Sequence, residues 1–169
     1  MNNKYIKNFL AALILILLFA FSITINSQKE ISDFCKKETD CLVNLAIETN
    51  NLNFCEKSLE KSLCYFRISM QTKNENICEK TLNQSQCFAN HAVIYKKPEN
   101  CEKTLNKEKC YFDIANYNKD VKFCELSNNT ALCIYSYAYK NNQIELCNKT
   151  EKYEINCLKK LTEKDETKT

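Results

Sequence analysis

Twelve cysteines and a single histidine are the residues of this 169-residue chain with the most distinctive chemistry. Closely spaced thiols bridge as disulfides, hold a soft metal ion or cycle as a redox pair. Structural zinc sites bring two ligands within two to four residues of each other, and redox pairs favour Cys-x-x-Cys. No Cys-x2-Cys occurs here. The lone His91 removes two-histidine metal sites and most catalytic triads. Glycine is absent, which removes phosphate-cradling loops, dinucleotide fingerprints, nucleophile elbows and the usual calcium loops, all of which need its φ > 0 or its close backbone approach. Disulfide formation is the chemistry left, with no catalytic residue, no metal and no cofactor expected.

The cysteines stand at 35, 41, 55, 64, 78, 87, 101, 110, 124, 133, 147 and 157, and from Cys41 to Cys147 the steps alternate 14 and 9 without exception. The period is therefore 23, which points to a repeat architecture. Two pairings respect it. One joins cysteines within a unit: Cys35–Cys41, Cys55–Cys64, Cys78–Cys87, Cys101–Cys110, Cys124–Cys133 and Cys147–Cys157. The other joins cysteines 14 apart and leaves Cys35 and Cys157 over. The first uses all twelve and places its variable spacings in a polar turn, where length changes are tolerated, so it is the favoured scheme. Each closed loop of about ten residues contributes about 2.5–3 kcal/mol by the chain-entropy argument.

The elements that must hold these bridges can be read from the residues around them. The second cysteine of each pair is followed by an apolar residue (Leu42, Tyr65, Phe88, Tyr111, Ile134, Leu158) and, at +5, by a small one (Ala46, Ser69, Ala92, Ala115, Ala138). Offsets 0, +1, +4 and +5 form a stripe at helical spacing, which predicts a helix of ten to twelve residues in each unit. The small residue would let a neighbouring helix approach closely. Asn50-Asn51, Asn74, Asn118 and Asn141-Asn142 mark the helix stops, where Asn is expected to replace Gly in the left-handed cap. A shorter helix precedes each, with Leu52, Cys55 and Leu59, and likewise Val121 and Cys124, expected on one face. Polar turns at Asn83–Gln86, Asn106–Lys109 and Asn128–Thr130 join the two. The fold class expected is all-α: an N-terminal apolar helix, then a disulfide-clamped α-solenoid of short helical hairpins, stacked because no single hairpin buries enough surface alone.

Residues 1–27 read as a signal peptide or N-terminal membrane anchor, 28–160 as the cysteine-rich repeat domain and 161–169 as a polar tail. Phe9 to Phe21 is an uninterrupted apolar run preceded by Lys4 and Lys7, and no small-x-small cleavage site after it is convincing, which favours retention as an anchor. The remainder would then lie outside the cytoplasm, where disulfides persist. The net charge is +3, from 24 basic and 21 acidic residues that alternate along the chain, so no nucleic-acid partner is expected.

Three sequons, at Asn83, Asn128 and Asn148, are no more than chance supplies among 22 Asn. His91 falls at +4, where other units carry Leu45, Ile68, Ile114 and Tyr137, and so reads as a packing residue. Aromatic residues at +1 and +4 are assigned to the core. Those at +2 and +6, namely Phe66, Phe112, Tyr135 and Tyr139, are the candidates for an exposed recognition face.

The repeat at 35–157 resembles exported cysteine-rich helical repeats, being similar in plan to tetratricopeptide-like proteins whose hairpins are each clamped by a disulfide, although those repeats are about a dozen residues longer. Its recurring Cys-Tyr/Phe-x-x-x-Ala pattern also resembles cysteine-repeat proteins of microbial, often archaeal, genomes, a group with no activity to carry over. The expected function is an extracytoplasmic interaction or structural module with a protein or cell-surface partner. The competing class is a secreted enzyme or enzyme inhibitor on the same scaffold.

Overall fold

The structure of the protein is a computed structural model that describes residues 13–16, 18, 35 and 37–166, without the side chains of residues 165 and 166. Every regular element among the described residues is helical. Helices α1 (Thr39–Glu48), α2 (Lys61–Thr72), α3 (Gln84–Tyr95), α4 (Lys107–Asn118), α5 (Thr130–Asn141) and α6 (Glu154–Glu166) alternate with short 3-10 helices. These are η1 (Leu52–Lys57), η2 (Glu75–Lys80), η3 (Pro98–Lys103), η4 (Val121–Leu126) and η5 (Ile144–Lys149), with η6 (Glu151–Tyr153) leading into α6.

All six bridges form, and they follow the within-unit pairing: Cys35–Cys41, Cys55–Cys64, Cys78–Cys87, Cys101–Cys110, Cys124–Cys133 and Cys147–Cys157. From Cys55 onward each bridge ties a 3-10 helix to the α-helix that follows it.

Asparagine sets most of the boundaries. Asn83, Asn106 and Asn129 each accept a bond from the backbone N–H three residues on and so cap α3, α4 and α5. Asn51, Asn74 and Asp120 cap η1, η2 and η4 in the same way from two residues back. The C-terminal ends differ from expectation. The left-handed residues at the ends of α1 to α5 are Asn50, Lys73, Lys96, Lys119 and Asn142, so Asn takes that conformation at only two of these five stops and lysine takes it at three. The position is fixed by register rather than by residue type. The N–H of residue +10 from the second cysteine returns to the carbonyl of the small +5 residue: Asn51 to Ala46, Asn74 to Ser69, Lys97 to Ala92, Asp120 to Ala115 and Gln143 to Ala138. This closes a Schellman turn in each of these five units, and an exposed lysine tolerates the backbone it requires.

Contacts divide the chain into two compact units, Met1–Tyr65 and Phe66–Thr169. In the first, α1 buries Leu42, Val43, Leu45 and Ala46, and η1 buries Phe54 and Cys55. Thr39 Oγ1 and Ser58 Oγ are 3.0 Å apart, and Tyr65 donates to Glu56 at 2.5 Å.

In the second unit the cystine of each repeat sits on the small +5 residue of the repeat before it. Ala92 packs with Cys101 and Cys110, Ala115 with Cys124 and Cys133, and Ala138 with Cys147 and Cys157. Ser69 Oγ takes the same place, 3.4 Å from Cys87 Sγ. A side chain larger than Ala or Ser would displace the bridge. The same small residue thus supplies both the packing floor and the capping carbonyl.

The shorter helices also depart from expectation. From η1 to η5 they are 3-10 and end two residues after the cysteine, and after η1 to η4 the next residue is extended. Leu59 therefore leaves the helix instead of joining Leu52 and Cys55 on one face, and it is 80% exposed. At the C-terminus α6 runs on to Glu166, and Leu161, at the start of the expected tail, is buried against Cys147 and Cys157. Most of the apolar segment read as a signal or anchor lies outside the described residues. Leu13–Ile16 and Leu18 are helical, and no helix among the described residues is long and apolar enough to cross a membrane.

Candidate binding surface

Three of the four aromatic residues expected on one recognition face are divided among three separate cores. Phe66 is half-buried against Cys78, Cys87 and Phe88. Phe112 lies against the core around Cys124 and Cys133, with the Lys140 ammonium 5.5 Å from its ring centre. Tyr135 packs on the core of Cys147 and Cys157, and its ring lies 5.8 Å from that of Tyr153. Only Tyr139 is exposed, at 41%, with the Lys164 ammonium 4.8 Å from its ring centre. The +2 position therefore faces the next repeat's cystine. Offset from the cysteine alone did not reveal this, because the direction of the following 3-10 helix decides what covers that side of the α-helix.

The exposed apolar residues lie elsewhere. Leu82 and Leu105, each four residues after the first cysteine of a pair, are both 94% exposed. Their recurrence at one register was visible in the sequence as Cys-Glu-Lys-Thr-Leu. Leu105 borders a shallow groove of about 150 Å3 between α3 and α4, lined also by Ala89, Lys109 and Asp113. A second groove of about 230 Å3 lies between α4 and α5, lined by Lys109, Phe112, Leu132 and Ser136. The two share Asn106 and Lys109 and so run on from each other across α4. Both are smaller than the roughly 300–1,000 Å3 of pockets that enclose small molecules. Lys109 pairs with Asp113 one turn on, which puts both charges on the rim of the α3–α4 groove.

The elements also position three charged or phenolic pairs. Tyr111 donates to Glu102 at 2.8 Å, repeating the Tyr65–Glu56 bond of the first unit. Burial, and then the bond to a carboxylate, pushes both phenols up to about 12. Lys97 reaches Glu75 at 2.7 Å, and this hydrogen bond holds the Glu75 carboxyl below its ordinary value.

His91, read from its register as a semi-buried packing residue, is fully buried and lines neither groove. Its surroundings are less ordinary. The ring lies 5.2 Å from that of Tyr95, and Cys78 Sγ, Cys87 Sγ and an imidazole nitrogen fall within 4.8 Å of one another. Neither ring nitrogen has a partner at hydrogen-bonding geometry. Burial is the largest influence and lowers the imidazole's proton affinity, as does the Lys97 charge; the Glu75 carboxylate and the nearby Ser69 backbone act the other way.

No known protein family, curated protein or solved structure matches this chain.

Proposed function

We propose that the protein is an extracytoplasmic, disulfide-stabilised helical-repeat module that binds a protein or cell-surface partner, its hairpins stacked as a solenoid and carried out of the cytoplasm by the N-terminal apolar segment. The observation that carries this reading is the pair of grooves running on from each other across α4. They are open, shallow and bordered by Leu105, Phe112 and Leu132, with charge at the rim from Lys109 and Asp113. Such a surface suits an extended segment of a partner better than a small substrate, and repeat scaffolds serve recognition through surfaces of this kind. Six bridges within 169 residues fit a chain that works in an oxidising compartment.

The test is photo-crosslinking in intact cells of the native organism. A photoreactive residue at Leu105 or Leu132 is expected to give one discrete adduct, weakened by Phe112→Ala in the same chain. The same residue at Lys122 on η4 serves as the control. If the groove positions yield only the adducts seen at Lys122, the binding reading fails.

A further inference from the structure

His91 breaks the repeat. At its register the other units carry Leu45, Ile68, Ile114 and Tyr137, so a nitrogen base stands beside a bridge only at Cys78–Cys87. Cys87 and His91 are one turn apart on α3 and face the same way, and η2 brings Cys78 to them. A buried imidazole with neither nitrogen in a well-formed hydrogen bond calls for an explanation, since buried polar groups are ordinarily satisfied. Its position against two sulfur atoms supplies one.

We propose that Cys78, Cys87 and His91 form a redox-gated site for a thiophilic divalent cation, of which zinc is the probe, created when the Cys78–Cys87 bridge is reduced. The three donor atoms already lie within 4.8 Å of one another. Tetrahedral zinc, with bonds of about 2.3 Å to sulfur and 2.0–2.1 Å to nitrogen, needs donors about 3.5–3.8 Å apart. Parting the two sulfurs to that distance is what breaking their bond permits. Ser69 Oγ lies 3.4 Å from Cys87 Sγ and 3.9 Å from Cys78 Sγ, so a polar group already borders the two sulfurs.

The chemistry balances with a thiol as reductant. Two equivalents of a small thiol give up two electrons and become its disulfide, while the Cys78–Cys87 bond breaks to two protein thiols. Zinc then displaces both thiol protons to solvent and takes two thiolates and one neutral imidazole. Two negative charges on sulfur cancel the ion's two positive charges, so the buried site is neutral and avoids the cost of an uncompensated charge. The lowered proton affinity of His91 suits this role, because only the neutral ring ligates. Sequence spacing argues against a metal here, since Cys-x8-Cys-x3-His lacks a close cysteine pair. The approach of η2 to α3 supplies the proximity that spacing does not.

The other five bridges are the internal control. The tag-free full chain is equilibrated in a glutathione redox buffer with or without one equivalent of zinc, and each cysteine is then trapped by alkylation and mapped. Zinc is expected to shift the Cys78–Cys87 pair at least tenfold toward the dithiol and to leave the other five pairs unmoved, by linkage of binding to the reduced state. His91→Leu, which restores the residue type of the other units, is expected to abolish the shift. The idea is overturned if zinc moves no bridge, moves all six alike, or acts equally on the variant. A second readout needs no variant: with cobalt(II) replacing zinc, the proton NMR spectrum should contain a hyperfine-shifted imidazole N–H signal, which only His91 can supply. Its absence from the cobalt-loaded chain also overturns the proposal.

Discussion

Asn118 Nδ2 donates to the carbonyl of Val93, 25 residues earlier, at 3.1 Å, and so ties the end of α4 to the end of α3. The same amide donates to Ile114 O at 3.0 Å. One period later Asn141 repeats the device, donating to Tyr137 O at 2.9 Å and to Asn116 Oδ1 at 3.3 Å. Asn118→Ala leaves the Val93 carbonyl without this partner and is expected to cost about 1–1.5 kcal/mol. Chemical denaturation of the oxidised protein should show a lower midpoint with an unchanged slope.

Ala115 is fully buried against the cystine of the following repeat. Ala115→Leu is expected to cost about 1–3 kcal/mol, or more if the bridge cannot shift. Leu105→Ser, at a site 94% exposed, is expected to stay within about 0.5 kcal/mol of the parent. Thermal melts of the two variants side by side test the contrast. Equal effects would mean that the stacking floor at +5 is not where the packing is tight.

Replacing Cys101 and Cys110 together by Ala opens one nine-residue separation. The expected loss is about 2–5 kcal/mol, from restored loop entropy and from lost packing against Ala92. Peptide mapping of the variant should recover the other five bridges as in the parent. Rearranged pairings would show that the bridges depend on one another for their register.

Stability should fall at both ends of the pH scale for separate reasons. The His91 proton affinity is lowered by burial, so the unfolded chain binds the proton more readily than the fold does. That contribution is complete above the unfolded value near 6.5 and is lost as pH falls below it. His91→Leu should flatten the slope just below pH 6.5. Glu75, held low by Lys97, keeps its contribution until pH drops below its unfolded 4.5, a lower window. Tyr65 and Tyr111, raised to about 12, contribute stability that is whole below pH 10 and lost as pH rises toward 12. Unfolding midpoints from about pH 2.5 to 12 check all three, and a slope just below pH 6.5 unchanged by His91→Leu would remove the histidine from the account.

The repeat itself was legible because covalent and packing demands coincide at the same residues. Cysteine spacing gave the bridges, and the +1, +4 and +5 stripe gave the helix face that buries Tyr111, Ile114 and Ala115. Features set by backbone direction between elements were not legible. Lys119 adopts a left-handed backbone because the turn back to Ala115 demands it at that register, and no preference of lysine announces this. Leu105 is exposed because η3 ends at Lys103 and the chain then extends, which the helical spacing of Cys101 and Leu105 conceals. Phe112 was read as facing outward, yet the following repeat half-covers it. For His91 the sequence showed the substitution at a packing register, but the nearby sulfur of Cys78 comes from tertiary approach alone.

Every bridge closes a short loop inside its own repeat, and no covalent link joins one repeat to the next except the backbone. Under tension applied to the two ends, such a chain extends in quanta. Of the 23 residues in a period, the nine-residue step between paired cysteines stays shut, and only the 14-residue step can be drawn out. At about 3.3–3.6 Å per residue, the drawn-out step of each yielding repeat spans at most about 50 Å, and the gain in length is smaller by the distance it already covers when folded. A tether of this construction would absorb force in short equal increments, and a reducing environment would lengthen each one.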